Sequence, residues 1–199
     1  MEKLKVLAAF ALPEEQVEIA LPGCEVRPLI THISQPYAAA ALAKAISDSR
    51  PDLVVNVGTA GTPNHEVGDI LVGTEFLARD LDKVYITSIR PRIASECPWA
   101  AQFPSVVGGV ETQKKFLISS GDNFVTAGEA IKGDAVDMEA FAEAVVCQAF
   151  GVPFLSVKYI TDVIGRNSVE VWEAKLADAR TALAAYFSRV AKHFDPKIA

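Results

Sequence analysis

The chain has 199 residues, 50% of them apolar and 22% charged, with a formal net charge of −6; that suffices for one domain with a sizeable core, read here as spanning 1–199. No run of Lys or Arg is dense enough to follow a phosphate backbone, which argues against a nucleic-acid partner, and no stretch approaches a membrane span. Cys24, Cys97 and Cys147 are few and far apart, as are His32, His65 and His193, which argues against a disulfide framework or a zinc site, leaves no visible metal cluster and suits a reducing cytoplasm.

Lys3 and Lys5 precede the apolar run Val6 to Leu12 in the manner of a signal peptide. The run is of minimum length, however, and Glu14-Glu15 follow without a small-residue cleavage site, so a buried first strand, Val6 to Ala11, is the better reading. A short helical piece follows, closed by Pro22-Gly23, and Cys24 to Ile33 reads as extended. Pro36 suits the first turn of a helix over the alanine-rich run to Ser49. After Pro51-Asp52, Leu53 to Val57 is a buried strand, and Gly58-Thr59-Ala60-Gly61 reads as a small-residue turn where a ligand or another backbone can come close.

Val67-Gly68-Asp69 turns the chain into a strand over Ile70 to Leu77, and Val84 to Ile89 reads as another. Residues 90–110, with three prolines, read as an irregular loop. Phe116 to Ser119 is a strand ending at Ser120-Gly121-Asp122-Asn123-Phe124. A helix is expected from about Met138 to Phe150, with Met138, Ala142, Val145 and Ala149 as its apolar stripe and Gly151 and Pro153 as its stop. Phe154 to Ile160 is short, apolar and rich in β-formers, hence a buried strand. In the last helix, Trp172, Leu176, Ala179, Leu183, Phe187, Val190 and Phe194 keep four-then-three spacing, with Ser168 as N-cap. Alternating strands and helices give an α/β class with a mixed sheet under helices.

Chemistry-capable residues then fall at element ends: Glu15 after the first strand, Thr59 after the third, Phe124 after the Ser-Gly-Asp turn, Glu139 at a helix end, and Asp162 just past the last strand. Ligands of open α/β sheets bind outside such strand ends. Each residue also has a plain structural reading: Glu139 as a helix cap, Asp162 as a loop residue, Glu15 as a solvated glutamate, Phe124 and Trp172 as core, Thr59 as a turn former. For Trp172 the core reading stands slightly ahead.

Four segments decide among these. Val55-Asn56-Val57-Gly58-Thr59-Ala60-Gly61 with Val67-Gly68-Asp69-Ile70, then Ser120 to Val125, then Val136-Asp137-Met138-Glu139-Ala140, then Pro153-Phe154 through Ile160-Thr161-Asp162-Val163 stand in the order of the purine nucleoside phosphorylase and nucleosidase superfamily. The chain most resembles its 5′-methylthioadenosine/S-adenosylhomocysteine nucleosidases. The resemblance implies a three-layer phosphorylase-type α/β fold, a mixed central sheet flanked by helices, and hydrolysis of the bond between adenine and C1′ of a 5′-thio ribose, with no cofactor. It implies Asp162 as the acid at N7 and Glu15 as the base that positions water. Glu139 would accept from the ribose 2′ and 3′ hydroxyls, with Met138 against the sugar, Phe124 stacked on the purine and the Val125 backbone reading its edge. Thr59 stands where the family usually has Ser, and Trp172 where an aromatic side chain often covers the ligand. A homodimer is implied, because the family completes its 5′ pocket from a neighbouring subunit.

The departures are specific. Lys158 replaces an Arg and would pair more loosely with Glu139. A glycine-rich turn stands here as Thr31-His32-Ile33-Ser34-Gln35. A hairpin after the first strand and a helix before Ser120 are missing. Phosphorylases of the superfamily carry Arg where this chain has Asn56, and another within the region of Leu12-Pro13-Glu14-Glu15, which favours water over phosphate. A futalosine-type or other purine nucleosidase, a phosphorylase, and a nucleoside-binding protein with little catalysis remain the alternatives.

Overall fold

A computed structural model of the protein describes residues 2–84, 86, 88–125, 131–166 and 169–198. Its strands are β1 (Leu4–Phe10), β2 (Cys24–Ile30), β3 (Leu53–Thr62), β4 (Ile70–Ala78), β5 (Arg92–Ala94), β6 (Ser105–Val107), β7 (Val110–Thr112), β8 (Phe116–Ser120), β9 (Ala135–Asp137) and β10 (Phe154–Val163). Three α-helices accompany them, α1 (Gln35–Ser49), α2 (Ala140–Phe150) and α3 (Val169–Val190).

The strands form one mixed sheet. β1 lies parallel between β2 and β3. β3 pairs parallel with β10, β10 antiparallel with β4, β4 parallel with β8, and β8 parallel with β9. β9 returns to β3 through an antiparallel bridge at Gly61 and Val136, so these five strands close a ring. β3 and β10 are buried on both faces, which is why they read as unbroken apolar runs. Alternate residues point to opposite faces. Leu53, Val55, Leu155 and Val157 meet Leu183, Tyr186, Phe187 and Val190 of α3, while Val54 and Phe154 share the other face with Leu42 and Ile46 of α1 and Phe141, Ala144 and Cys147 of α2. The result is the expected three-layer α/β arrangement. No described helix is long and apolar enough to cross a membrane.

Several expectations need correction. Gly58 to Gly61 is not a turn: β3 runs straight through it, because β10 pairs with it from Val54 to Thr62. Asp162 is correspondingly inside β10, just after a bulge between Ile160 and Asp162. Residues 90–110 hold β5, β6 and part of the β6–β7 hairpin, each too short for a period-2 pattern to register. β9 is equally short and went unpredicted. Among the described residues of the span Val84 to Ile89 there is no strand. Ser168 lies outside the described residues.

α2 begins at Ala140 rather than Met138, and Gly151 ends it in the left-handed conformation, φ 67°. Its expected stripe faces the wrong way. Val145 is 41% exposed, and the buried face is Ala140, Phe141, Glu143, Ala144 and Cys147. The helix is apolar nearly all round, so periodicity alone does not select the inner face; packing on α1 and the sheet does. In α3 the stripe is buried from Ala179 onward, and Phe194 stays buried beyond the helix end.

Candidate active site

The C-terminal halves of β3 and β10 meet β9 at one rim of the strand ring, and a cleft of about 230 Å³ opens there. That is several times the ~30 Å³ share of one water and on the scale of a small organic ligand. All nine residues singled out from sequence line it: Glu15, Thr59, Phe124, Val125, Met138, Glu139, Lys158, Asp162 and Trp172. β3 brings Thr59, β10 brings Lys158 and Asp162, the two residues between β9 and α2 are Met138 and Glu139, and the segment after β8 brings Phe124 and Val125.

Glu15 closes the turn after β1, where Pro13–Glu15 form a single 3-10 turn. Arg180 of α3 holds that turn by donating to the Glu14 carbonyl at 2.7 Å. The Glu15 side chain is buried and folds over β3. Its Oε1 accepts from the Thr59 backbone N–H at 2.9 Å and from Thr59 Oγ1 at 2.6 Å. Trp172 donates through Nε1 to the same Thr59 hydroxyl at 2.8 Å. Trp172 is therefore a half-buried wall of the cleft and not a member of the core stripe, contrary to the preferred sequence reading.

The glycines of β3 explain how two carboxylates fit against one strand. A Cβ on Gly58 would stand 3.1 Å from Glu15 Oε1, and one on Gly61 2.8 Å from Asp162 Oδ2. Asp162 is buried, and its Oδ1 accepts from Thr161 Oγ1 at 2.7 Å.

On the opposite wall, Glu139 Oε1 accepts from the Ser34 backbone N–H at 3.0 Å. Ser34 and His32 have φ of 95° and 65°, so the turn expected to be glycine-rich keeps a glycine-like conformation with other residues. Such sparsely populated backbone conformations carry roughly 1–3 kcal/mol of strain each. Burial, and then the nearby Asp137 charge, push the Glu139 carboxyl well above the ordinary range; Lys158 and the Ser34 N–H oppose that.

Lys158 departs from expectation. Its Nζ pairs with Asp137 Oδ2 at 2.9 Å, and Glu139 acts on it only through charge. Burial works against the ammonium, but Asp137, Glu139 and Glu15 outweigh it and hold Lys158 firmly protonated. Asp137 is fully committed: it also accepts from Ser120 Oγ at 2.5 Å and from the Ala140 N–H at 3.1 Å, which caps α2. The sequence places Asp137 within one of the matched segments and marks no role for it. It also missed Arg79, a buried arginine just beyond β4 that donates to the carbonyls of Ser119, Gly121 and Asn123 at 3.0–3.1 Å. Arg79 thereby fixes the segment carrying Phe124 and Val125. The only available signal was an arginine following an otherwise apolar strand.

The described lining thus carries Glu15, Asp137, Glu139 and Asp162 against one ammonium already paired. Such a site repels anions and suits a neutral ligand with hydroxyl and amine donors.

The family model of the phosphorylase superfamily matches residues 8–192. A 5′-methylthioadenosine/S-adenosylhomocysteine nucleosidase of Actinobacillus succinogenes is 33% identical over 159 residues, 70% of this chain and 69% of that protein. A nucleosidase of the same name from Geobacillus thermodenitrificans is 28% identical over 198 residues, 83% of each chain. Among solved structures, the Helicobacter pylori nucleosidase with butyl-thio-DADMe-Immucillin-A superposes with a TM-score of 0.77 at 20% identity, covering 96% of this chain and 99% of that one. The futalosine hydrolase of Helicobacter pylori superposes with a TM-score of 0.78 at 20% identity, covering 96% and 98%.

Proposed function

The chain belongs to the phosphorylase superfamily, and from that premise we propose that it is an N-glycosyl hydrolase that cleaves a purine nucleoside, with 5′-methylthioadenosine and S-adenosylhomocysteine as the favoured substrates. The observation that carries this reading is the placement of Glu15 and Asp162 over two glycines of the same strand, with Glu139 across the cleft. Leaving-group acid, water-positioning base and ribose acceptor then surround one ligand.

In the reaction, Asp162 delivers a proton to N7 as the bond between N9 and C1′ breaks, and the bonding electron pair leaves with the base. The sugar develops oxocarbenium character, as in glycoside hydrolysis. Glu15, held by Thr59, orients a water towards C1′ and takes its proton. Glu139 accepts from the 2′ and 3′ hydroxyls, which fixes the ring for attack. Met138 packs against the sugar. Phe124 stacks on the purine, whose edge meets the Val125 backbone. Thr59 and Trp172 act through the placement of Glu15, and Lys158 through Asp137.

Water rather than phosphate is the second reactant, because the described lining supplies four carboxylates, and its one ammonium is already paired, leaving none among the described residues for a dianion. The test is base release from a panel of 5′-thio, 5′-hydroxy and futalosine-type nucleosides, with and without phosphate. Adenine release from the 5′-thio nucleosides, unaffected by phosphate and leaving a reducing sugar, is expected. Phosphate-dependent release with ribose 1-phosphate as product, or no release at all, overturns the reading.

The enzyme is further proposed to be a cytoplasmic homodimer, its cysteines being free thiols. The outward stripe of α2 leaves Val145 41% and Phe150 49% exposed, and Tyr37 on α1 is 66% exposed, a face suited to a second copy. Sedimentation is expected to give a dimer that Val145→Glu weakens. A fully active wild-type monomer at micromolar concentration sinks this assignment.

A further inference from the structure

Two residues of α3 reach the turn that carries Glu15. Arg180 donates to the Glu14 carbonyl, and Trp172 donates to the Thr59 hydroxyl that in turn meets the Glu15 carboxylate. Trp172 stands ahead of the buried stripe of α3, which begins at Ala179, so core packing does not account for it. β1 pairs with β3 only as far as Asn56, and past that point the Thr59 N–H donates to Glu15 Oε1 instead of to a strand.

What each group can do sets the direction of these hydrogen bonds. An indole N–H only donates, so Thr59 Oγ1 is the acceptor in its 2.8 Å contact with Trp172. The hydroxyl has one proton of its own, and a carboxylate oxygen lies 2.6 Å away to receive it. Donation by the indole polarises the hydroxyl and makes it the stronger donor. Glu15 Oε1 therefore takes two hydrogen bonds, one from the Thr59 N–H and one from Oγ1, which fill both of its lone pairs. Oε2 receives no hydrogen bond from a described residue, yet it is not an enclosed atom, and Glu15 lines the cleft. The two oxygens of this carboxylate are thus unlike: one is anchored and the other is open.

We propose that Trp172 is a positioning residue that acts through its N–H: by donating to Thr59 Oγ1 it turns the hydroxyl onto Glu15 Oε1, pins that oxygen, and leaves Oε2 as the one that takes the proton of water. This rests on the nucleosidase reading of the cleft and gives the two oxygens of Glu15 separate roles. In the step concerned, the water oxygen bonds to C1′ and one of its protons passes to Oε2. The electron pair of the C1′–N9 bond leaves with the base, which Asp162 protonates. Without the indole donor the Thr59 hydroxyl is freer to turn away, and the open oxygen of Glu15 holds water in line less of the time. The loss then falls on bond breaking and not on binding.

The experiment is a double-mutant cycle between Trp172 and Thr59. It is read by single-turnover adenine release from 5′-methylthioadenosine and by affinity for formycin A, an adenosine analogue joined to its base through carbon. Trp172→Phe keeps an aromatic ring at the cleft and removes the N–H. In the wild-type and Thr59→Ser backgrounds it should slow the single-turnover rate roughly three- to tenfold, with formycin A affinity held within about twofold. In the Thr59→Val background, which has no hydroxyl to orient, it should cost nothing further. If Trp172→Phe does not fold, Trp172→Leu takes its place in the same cycle of rates. Equal losses with and without the Thr59 hydroxyl, or a loss confined to formycin A affinity, show that the ring acts on the ligand directly and overturn the proposal. Full activity of Trp172→Phe overturns it too, and all three results leave the nucleosidase reading intact. A wild-type protein that neither binds formycin A nor releases base from any purine nucleoside overturns both.

Discussion

Gly61 of β3 and Asp162 of β10 occupy one space. A Cβ on the glycine would lie 2.8 Å from Asp162 Oδ2, so the carboxylate sits where a side chain would be. Neighbouring strands place residues at this position side by side, with Asp162 in register with Gly61. The small residue leaves room for the Asp162 carboxylate and makes no turn.

Gly61→Ala should therefore damage turnover with little effect on folding, since Gly61 is not among the residues with positive φ. The acid has to shift by a fraction of an ångström or more, and misplacement on the 1 Å scale costs up to ~10²-fold. Gly58→Ala, whose Cβ would sit 3.1 Å from Glu15 Oε1, should be milder. Steady-state kinetics beside thermal unfolding checks this; a Gly61→Ala enzyme with wild-type kcat/KM would remove Asp162 from the chemistry.

Thr59 supports Glu15 through two hydrogen bonds and receives one from Trp172. Thr59→Val keeps the volume and the backbone donor while deleting the hydroxyl, and it leaves the Trp172 Nε1–H without that partner. A loss of about 1–3 kcal/mol, or roughly five- to 150-fold in kcat/KM, is expected. Thr59→Ser should recover most of it. Equal activity of the Val and Ser variants would show that the hydroxyl plays no part.

Much of this site was legible in the sequence because its residues sit inside short segments whose order is diagnostic, and because β3 and β10, buried on both faces, announce themselves as apolar runs. What stayed hidden depends on contacts between distant segments. Asp137 and Glu139 are two residues apart, and only the fold decides that Lys158 pairs with the first. Arg79 acts on carbonyls forty or more residues away. The inner face of α2 was misread because Val145 and Ala144 are equally apolar choices until α1 and the sheet select one. Nothing in the sequence marks Glu143 as buried; its burial follows from that same selection.

Stability should depend on pH through Glu143. Its carboxyl is raised from an ordinary 4.5 to about 7 in the folded protein, chiefly by burial. The folded state thus binds more protons than the unfolded one between these values, and stability falls as pH rises through that window. The shift corresponds to at most on the order of 3 kcal/mol. Glu139, raised for the same reason, acts in the same direction. Urea unfolding across this pH range should show a steeper loss for wild type than for Glu143→Gln. Parallel curves would mean that Glu143 is not a buried acid.

The base preference follows from Asp162. In the proposed reaction Asp162 donates to N7 while its other oxygen accepts from a 6-amino group; a 6-oxo purine presents an acceptor there and meets that oxygen unfavourably. Wild type should therefore release adenine in preference to hypoxanthine from matched nucleosides. Asp162→Asn keeps the shape and a donor but has no proton to transfer. General acid catalysis is typically worth ~10²–10⁴-fold, so kcat on the adenine nucleoside should fall by at least that order while affinity for formycin A changes little. The amide can also donate to a 6-oxo group, so the remaining activity should shift towards the hypoxanthine nucleoside. Release of the two bases, measured for both proteins, decides it. Near-normal adenine release by Asp162→Asn, or a wild-type preference for the 6-oxo substrate, would take both the acid role and the 6-amino specificity away from Asp162.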